Sequence, residues 1–146
     1  MRYSELIQLY FERSNALQWY WTLYVVVVGG LLAFSSLRVR RDAITGILVT
    51  VLFCFFAYKN LDAIHDVTLQ RAATLQAIRS SPTNPVDAGE VASEVARTRS
   101  MVEPTLVSPD YEGTRNFHIA SDLLTVAAIW AMELRRARAA RSESAK

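Results

Sequence analysis

Residues 14–37 run for 24 positions without one Asp, Glu, Lys or Arg. Within them, Leu23 to Val28 and Leu31 to Phe34 form two blocks of mostly large apolar side chains. A helix needs about 20 such residues to cross the ~30 Å hydrocarbon core of a bilayer. Four consecutive valines would also suit a β-strand, but strands run about 4–8 residues and this run is far longer. A cleavable secretory signal fits poorly, because the run is long and its positive charge follows it instead of preceding it. Trp19, Tyr20, Trp21 and Tyr24 gather at one end, as an interfacial aromatic belt does. The expectation is a first membrane span over 18–37.

A second uncharged run, residues 43–58, has 16 positions. As a helix it reaches ~24 Å, slightly short of the core, and Lys59 can snorkel outward to cover the deficit. Span two is therefore expected over 43–59. Residues 60–79 contain no Gly or Pro, and Leu61, Ile64, Thr68, Leu75 and Ile78 recur at helical spacing. This predicts a helical extension of span two, with a half-apolar stripe that Arg71 interrupts. The stripe must meet the N-terminal helix, another copy or a partner. Pro82, Pro85, Pro104 and Pro109, with Gly89 and Gly113, predict an irregular outer loop over 80–115. A short helix over 87–102 is the alternative within it. The third span, 116–134, has a clean core of only ten residues, 123–132, bracketed by Asp122 and Glu133; an amphipathic helix lying on the membrane or docked on a partner is the competing reading.

Charge sets the threading. The turn 38–42 carries Arg38, Arg40 and Arg41, and the tail 135–146 carries Arg135, Arg136, Arg138, Arg141 and Lys146. These are eight of the 16 basic residues, crowded onto what three crossings make a single side. Positive-inside bias makes that side cytoplasmic, with the N-terminus outside. Arg38, Arg40, Arg41, Arg135, Arg136 and Arg138 are the expected contacts with the inner leaflet. Residues 1–17 read as an amphipathic helix with Leu6, Ile7, Tyr10, Phe11 and Leu17 on or near one face. It would lie on the outer leaflet or pack against the outer segment. The expected fold is all-α: an integral membrane three-helix bundle, a helical extension of span two and an irregular outer loop. Averages of 51% hydrophobic and 21% charged residues conceal this segregation. One cysteine excludes a disulfide scaffold, and a net charge of +2 gives no reason to expect nucleic acid as a partner.

Lipid drives helices together only weakly, so small residues are the expected contact faces, either between the three helices of one chain or, for one stripe, with a second copy. They are Gly29 and Ala33 in span one, Gly46, Thr50 and Cys54 in span two, and Ala127 and Ala131 in span three. Cys54 is read as a small packing residue.

Catalytic motifs are lacking: the sequence has no phosphate-binding glycine loop, CxxC pair, HExxH or nucleophile elbow. One constellation invites a divalent metal. Asp62, His65 and Asp66 share a helix face just beyond span two, and His118 opens span three. Two imidazoles with carboxylates suit Zn²⁺ or a similar ion, or a pH-sensitive latch; ordinary interfacial polarity is the competing reading. Asp122, a carboxylate inside the outer boundary, needs a partner, and Lys59 is the expected one. Glu133 would pair with Arg40, Arg41 or Arg136.

The expected function is non-catalytic. The chain reads as an accessory, scaffold or assembly subunit that binds another membrane protein, in a bacterial inner membrane as the simplest setting. The alternatives are a homo-oligomeric channel or small transporter using Ser121, Asp122 and Thr125, and an outer-face metal or pH sensor.

Overall fold

The computed structural model describes residues 3–39, 42–80 and 90–144. Among these residues every regular element is helical. The elements are α1 (Tyr3–Leu37), α2 (Ala43–Ser80), α3 (Glu90–Val102), a 3-10 turn (Glu103–Thr105) and α4 (Tyr111–Ser144). Helices α1, α2 and α4 are long and apolar enough to cross a membrane. Their outward faces carry large apolar side chains, with Ile44 81%, Leu124 71% and Phe55 68% exposed. Surfaces so continuously apolar suit lipid and not water. This is an all-α membrane protein.

Hydrocarbon offers the backbone no hydrogen-bond partners, so a crossing segment satisfies its own amides and stays helical. That is why four valines and the Gly29–Gly30 pair leave α1 unbroken. The divisions expected at residues 17/18 and 134/135 are not helix boundaries: α1 runs 35 residues and α4 runs 34. The loop expected over 80–115 is largely helical where it is described. It contains α3 and the 3-10 turn, whose Pro104 falls where no backbone donor is required, and α4 begins at Tyr111.

The chain forms two compact units. The first comprises Met1–Leu17 and Asp66–Asp110. Its core is Leu6, Tyr10, Leu75, Ile78 and Leu106, with Tyr3, Ile7, Ala77 and Val102 packed against it. Leu6 and Tyr10 share one face of α1, and Leu75 and Ile78 share one face of α2. Each such buried side chain contributes about 1.5–3 kcal/mol. The outer part of the stripe, Leu75 and Ile78, is thus met by the N-terminal helix and by the segment after α3. Arg71, which interrupts the apolar spacing, lies with its guanidinium 4.8 Å from the Tyr10 ring centre. It donates to the Tyr10 hydroxyl, which itself donates to the Val107 carbonyl at 3.0 Å. Arg99 likewise donates to the Ile78 carbonyl at 3.0 Å, pairs with Glu103 and covers the Tyr3 ring.

The second unit comprises Gln18–His65 and Tyr111–Lys146. Tyr24, Phe53 and Ala57 form its apolar core, with Trp21, Val27, Val28, Leu31, Phe56 and Val126 against them. Asp42 starts α2: its Oδ1 accepts from the backbone N–H groups of Ile44 and Thr45, and the Thr45 hydroxyl donates to Oδ2. These bonds hold the Asp42 carboxyl below the usual carboxylate range. At the end of α1, Arg136 donates to the carbonyls of Ser35 and Arg38, which lack helical partners.

Candidate functional site

Helix α4 turns its polar residues inward. His118, Asp122, Thr125, Ile129 and Glu133 recur at helical spacing, and all but the half-buried Asp122 are buried. On α1 the inward residues are Trp21, Tyr24, Leu31 and Ser35; on α2 they are Gly46, Phe53, Ala57 and Asn60. The small-residue faces therefore line the interior less than packing within one chain would require. Gly46 is buried against Glu133, with Thr50 half-buried, but Gly29, Ala33, Cys54, Ala127 and Ala131 are exposed. The reason is competition for the interior. A carboxylate or imidazole facing lipid is costly, whereas alanine and glycine lose little there, so the polar stripe takes the inside.

The upper cluster joins all three membrane helices. His118 is 0% exposed. Its Nδ1 lies 2.9 Å from Asp122 Oδ2, and the Tyr24 hydroxyl donates to Asp122 Oδ1 at 2.8 Å. On its other side, His118 Nε2 lies 3.2 Å from the Asn60 side-chain nitrogen. The Tyr24 and His118 ring centres are 4.2 Å apart, and Trp21 stands 5.8 Å from His118. Chemistry assigns the proton. Nδ1 faces a carboxylate and carries hydrogen, while Nε2 faces an amide donor and accepts, so the imidazole is neutral in this arrangement. The buried Asn60 Oδ1 has no hydrogen-bond partner among the described residues. Turning the amide over would present Oδ1 to Nε2 and suit an imidazolium beside Asp122. The cluster can tie three helices together and can hold one proton.

Two sequence expectations are corrected here. Asp122 is partnered by Tyr24 and His118, not by Lys59. Lys59 pairs with Asp62 at 3.1 Å, one helical turn away on its own helix, where the long side chain reaches water more easily. The metal set of Asp62, His65, Asp66 and His118 is not assembled. His65 stacks on Tyr111 with ring centres 4.5 Å apart, and His118 has both nitrogens engaged. Among the described residues no group of three His, Cys, Asp or Glu could hold a metal ion.

The lower cluster centres on Glu133, whose Oε1 accepts from Arg38 at 3.1 Å and from Arg136 at 3.0 Å. All three side chains are mostly buried. Of the six arginines expected at the inner leaflet, Arg38 and Arg136 are thus engaged by protein, Arg135 and Arg138 are exposed, and Arg40 and Arg41 lie outside the described residues. Fifteen residues separate His118 from Glu133, about 22 Å along α4, which fits the two clusters just within the edges of a ~30 Å core.

Sequence reasoning missed Tyr24 and Asn60 as the partners of Asp122 and His118, and Asp42 as the cap of α2. Comparison with known protein families, with characterised proteins and with solved structures returned no match.

Proposed function

We propose that this protein is a non-catalytic membrane scaffold or assembly subunit, which docks a transmembrane helix of another membrane protein. One observation carries the reading. Gly29, Ala33 and Ser36 line one outward face of α1, and a Cβ built on Gly29 meets nothing within 4 Å. Small residues at this spacing let a second helix approach closely and gain dispersion contact that lipid tails do not match. The titratable groups inside the bundle, in contrast, are bonded to one another across helices. The simplest setting is a bacterial inner membrane, and the arginine distribution favours an N-terminus outside and a basic C-terminus in the cytoplasm.

Photo-crosslinkers introduced at Gly29 and, as a control, at the lipid-facing Leu48 test this in the native membrane. A discrete adduct with another membrane protein from Gly29 but not from Leu48 is expected. Adducts only with lipid at both positions would overturn the reading, and an adduct with a second copy would replace it by self-association.

A second reading rests on His118. A buried imidazole between Asp122 and Asn60, covered by Tyr24, has the makings of a proton-sensing latch, in which protonation reverses the amide of Asn60. Partner docking that tracks pH in the wild type but not in His118→Gln supports it; identical pH dependence in both refutes it.

A further inference from the structure

Beside the Glu133 cluster lies a cleft of about 330 Å³ between the end of α1 and the C-terminal half of α4. Arg38, Arg135 and Arg136 line it, together with the apolar Val39, Met132 and Ala139. The charge balance in this cleft is uneven. Glu133 pairs with Arg38 and Arg136, and Asp42 lies 3.8 Å from Arg38. Arg135 makes no hydrogen bond or ion pair among the described residues. Among the described residues two carboxylates therefore pair with two of the three guanidiniums, and the third, that of Arg135, lines the cleft unpaired. Each guanidinium carries five N–H donors. Arg136 commits one donor to each of Ser35, Arg38 and Glu133, so two remain. Those same bonds fix its position, so little side-chain freedom is left to lose on binding. Planar donor forks of this kind match phosphate oxygens in pairs.

We propose that this cleft is a phosphate-binding site, filled by the headgroup of an anionic phospholipid or by a soluble phosphate monoester. Arg135 is its anchor, and Arg38 and Arg136 form its preset wall. The apolar Val39, Met132 and Ala139 give the glycerol and first methylenes of a lipid a surface to lie on. Basic pockets between membrane helices recognise anionic headgroups in this way. The inference stands on the cleft alone and does not depend on the docking role of α1.

The full chain, purified in a neutral detergent, is titrated with short-chain phosphatidylglycerol, with phosphatidylcholine of equal chain length, and with glycerol 3-phosphate. Bound ligand is counted by native mass spectrometry. Saturation at one phosphatidylglycerol per chain is expected, with phosphatidylcholine held far more weakly. Arg135→Gln removes charge-assisted bonds and should weaken binding about tenfold. Arg135 is exposed and makes no hydrogen bond or ion pair among the described residues, so the fold should tolerate the change. Arg138→Gln, one turn further along α4, should change binding far less. Displacement of the lipid by glycerol 3-phosphate would assign the site to a soluble phosphate, and its failure to displace would assign it to lipid; both outcomes uphold the phosphate chemistry. Equal losses in Arg135→Gln and Arg138→Gln would reduce the cleft to a diffuse basic surface and overturn the proposal. Equal binding of phosphatidylcholine and phosphatidylglycerol would do the same. Arg136→Gln is a weaker test, since that residue also closes the end of α1.

Discussion

Replacing Asp122 separates two accounts of what holds the three membrane helices together. Its carboxylate accepts from Tyr24 at 2.8 Å and from His118 at 2.9 Å, and both donors are buried. Asp122→Ala strands both. An unpaired buried donor costs about 1–3 kcal/mol, which puts the sum at about 2–6 kcal/mol. Interhelical hydrogen bonds in membranes average only about 0.6 kcal/mol, because the separated helices find other partners. The lower end of the range, about 2–3 kcal/mol, is therefore expected.

Asp122→Asn behaves differently if hydrogen bonding and not charge is what counts. The new amide oxygen can still accept from Tyr24, and its nitrogen can donate to His118 Nδ1. The imidazole then carries its proton on Nε2 and donates to Asn60 Oδ1, the one buried atom of this cluster that has no partner now. Both ring nitrogens and the Tyr24 hydroxyl keep partners after one tautomer change and one amide reversal, and only the Asn60 amide nitrogen gives one up, so the loss should be about 1 kcal/mol. Unfolding free energies from an SDS titration in mixed micelles, followed by circular dichroism, measure both variants. Equal losses in the two would show that the charge of Asp122 matters more than its hydrogen bonds. An unchanged Asp122→Ala would show that the cluster contributes nothing to stability.

Other expectations concern single positions. Ile78→Ala empties a fully buried site in the first unit and should destabilise that unit by about 2–5 kcal/mol, read as faster amide exchange at residues 71–79; unchanged exchange there would refute the core assignment. Asp42→Ala should loosen the start of α2. Because the folded carboxyl is held below its ordinary value of 3.8, the capping contribution is present above that value and fades as pH falls through the depressed one. Amide exchange at Ile44 and Thr45 should thus differ between wild type and variant at neutral pH and converge in strong acid; a difference that grows toward acid would contradict the assignment. Cys54 is exposed within the apolar belt, so in intact membranes a lipid-soluble maleimide should label it and a sulfonated one should not. Rapid reaction with the sulfonated reagent would mean that this face meets water.

Much of the architecture is legible in charge and hydropathy alone, because the physics that makes a crossing helix is local: apolar length, an uncharged core and self-satisfied amides. The faces of those helices are less so. Choosing Gly29, Ala33, Ala127 and Ala131 as internal contacts followed a sound tendency, but it weighed each helix separately. Which face turns inward is decided by the most demanding group on each helix. On α4 that is the stripe of His118, Asp122 and Glu133, and the alanines take the remaining side. On α2 the buried Asn60 exerts the same pull, and Cys54 is left outside. Arg71 shows the same limit in the first unit. By spacing alone it breaks a stripe, yet a guanidinium can lie flat on Tyr10 and extend the packed surface while still donating hydrogen bonds.

The partners of the buried polar groups could have been found by measuring depth from the basic end. Arg136 bonds the carbonyl of Arg38, which puts those two residues at one level. Tyr24 precedes Arg38 by 14 residues, and Asp122 precedes Arg136 by the same 14. Helices α1 and α4 run in the same direction, so with a common rise of ~1.5 Å per residue the hydroxyl and the carboxylate arrive at one depth. Helix α2 runs the opposite way: Asn60 follows Asp42 by 18 residues, and His118 precedes Arg136 by 18. Two independent offsets thus converge on one layer. Lys59, one position from Asn60, has nearly the right depth but a different heading, since adjacent helix positions point about 100° apart. Depth and facing together single out Tyr24 and Asn60 as partners, whereas depth alone selected the lysine.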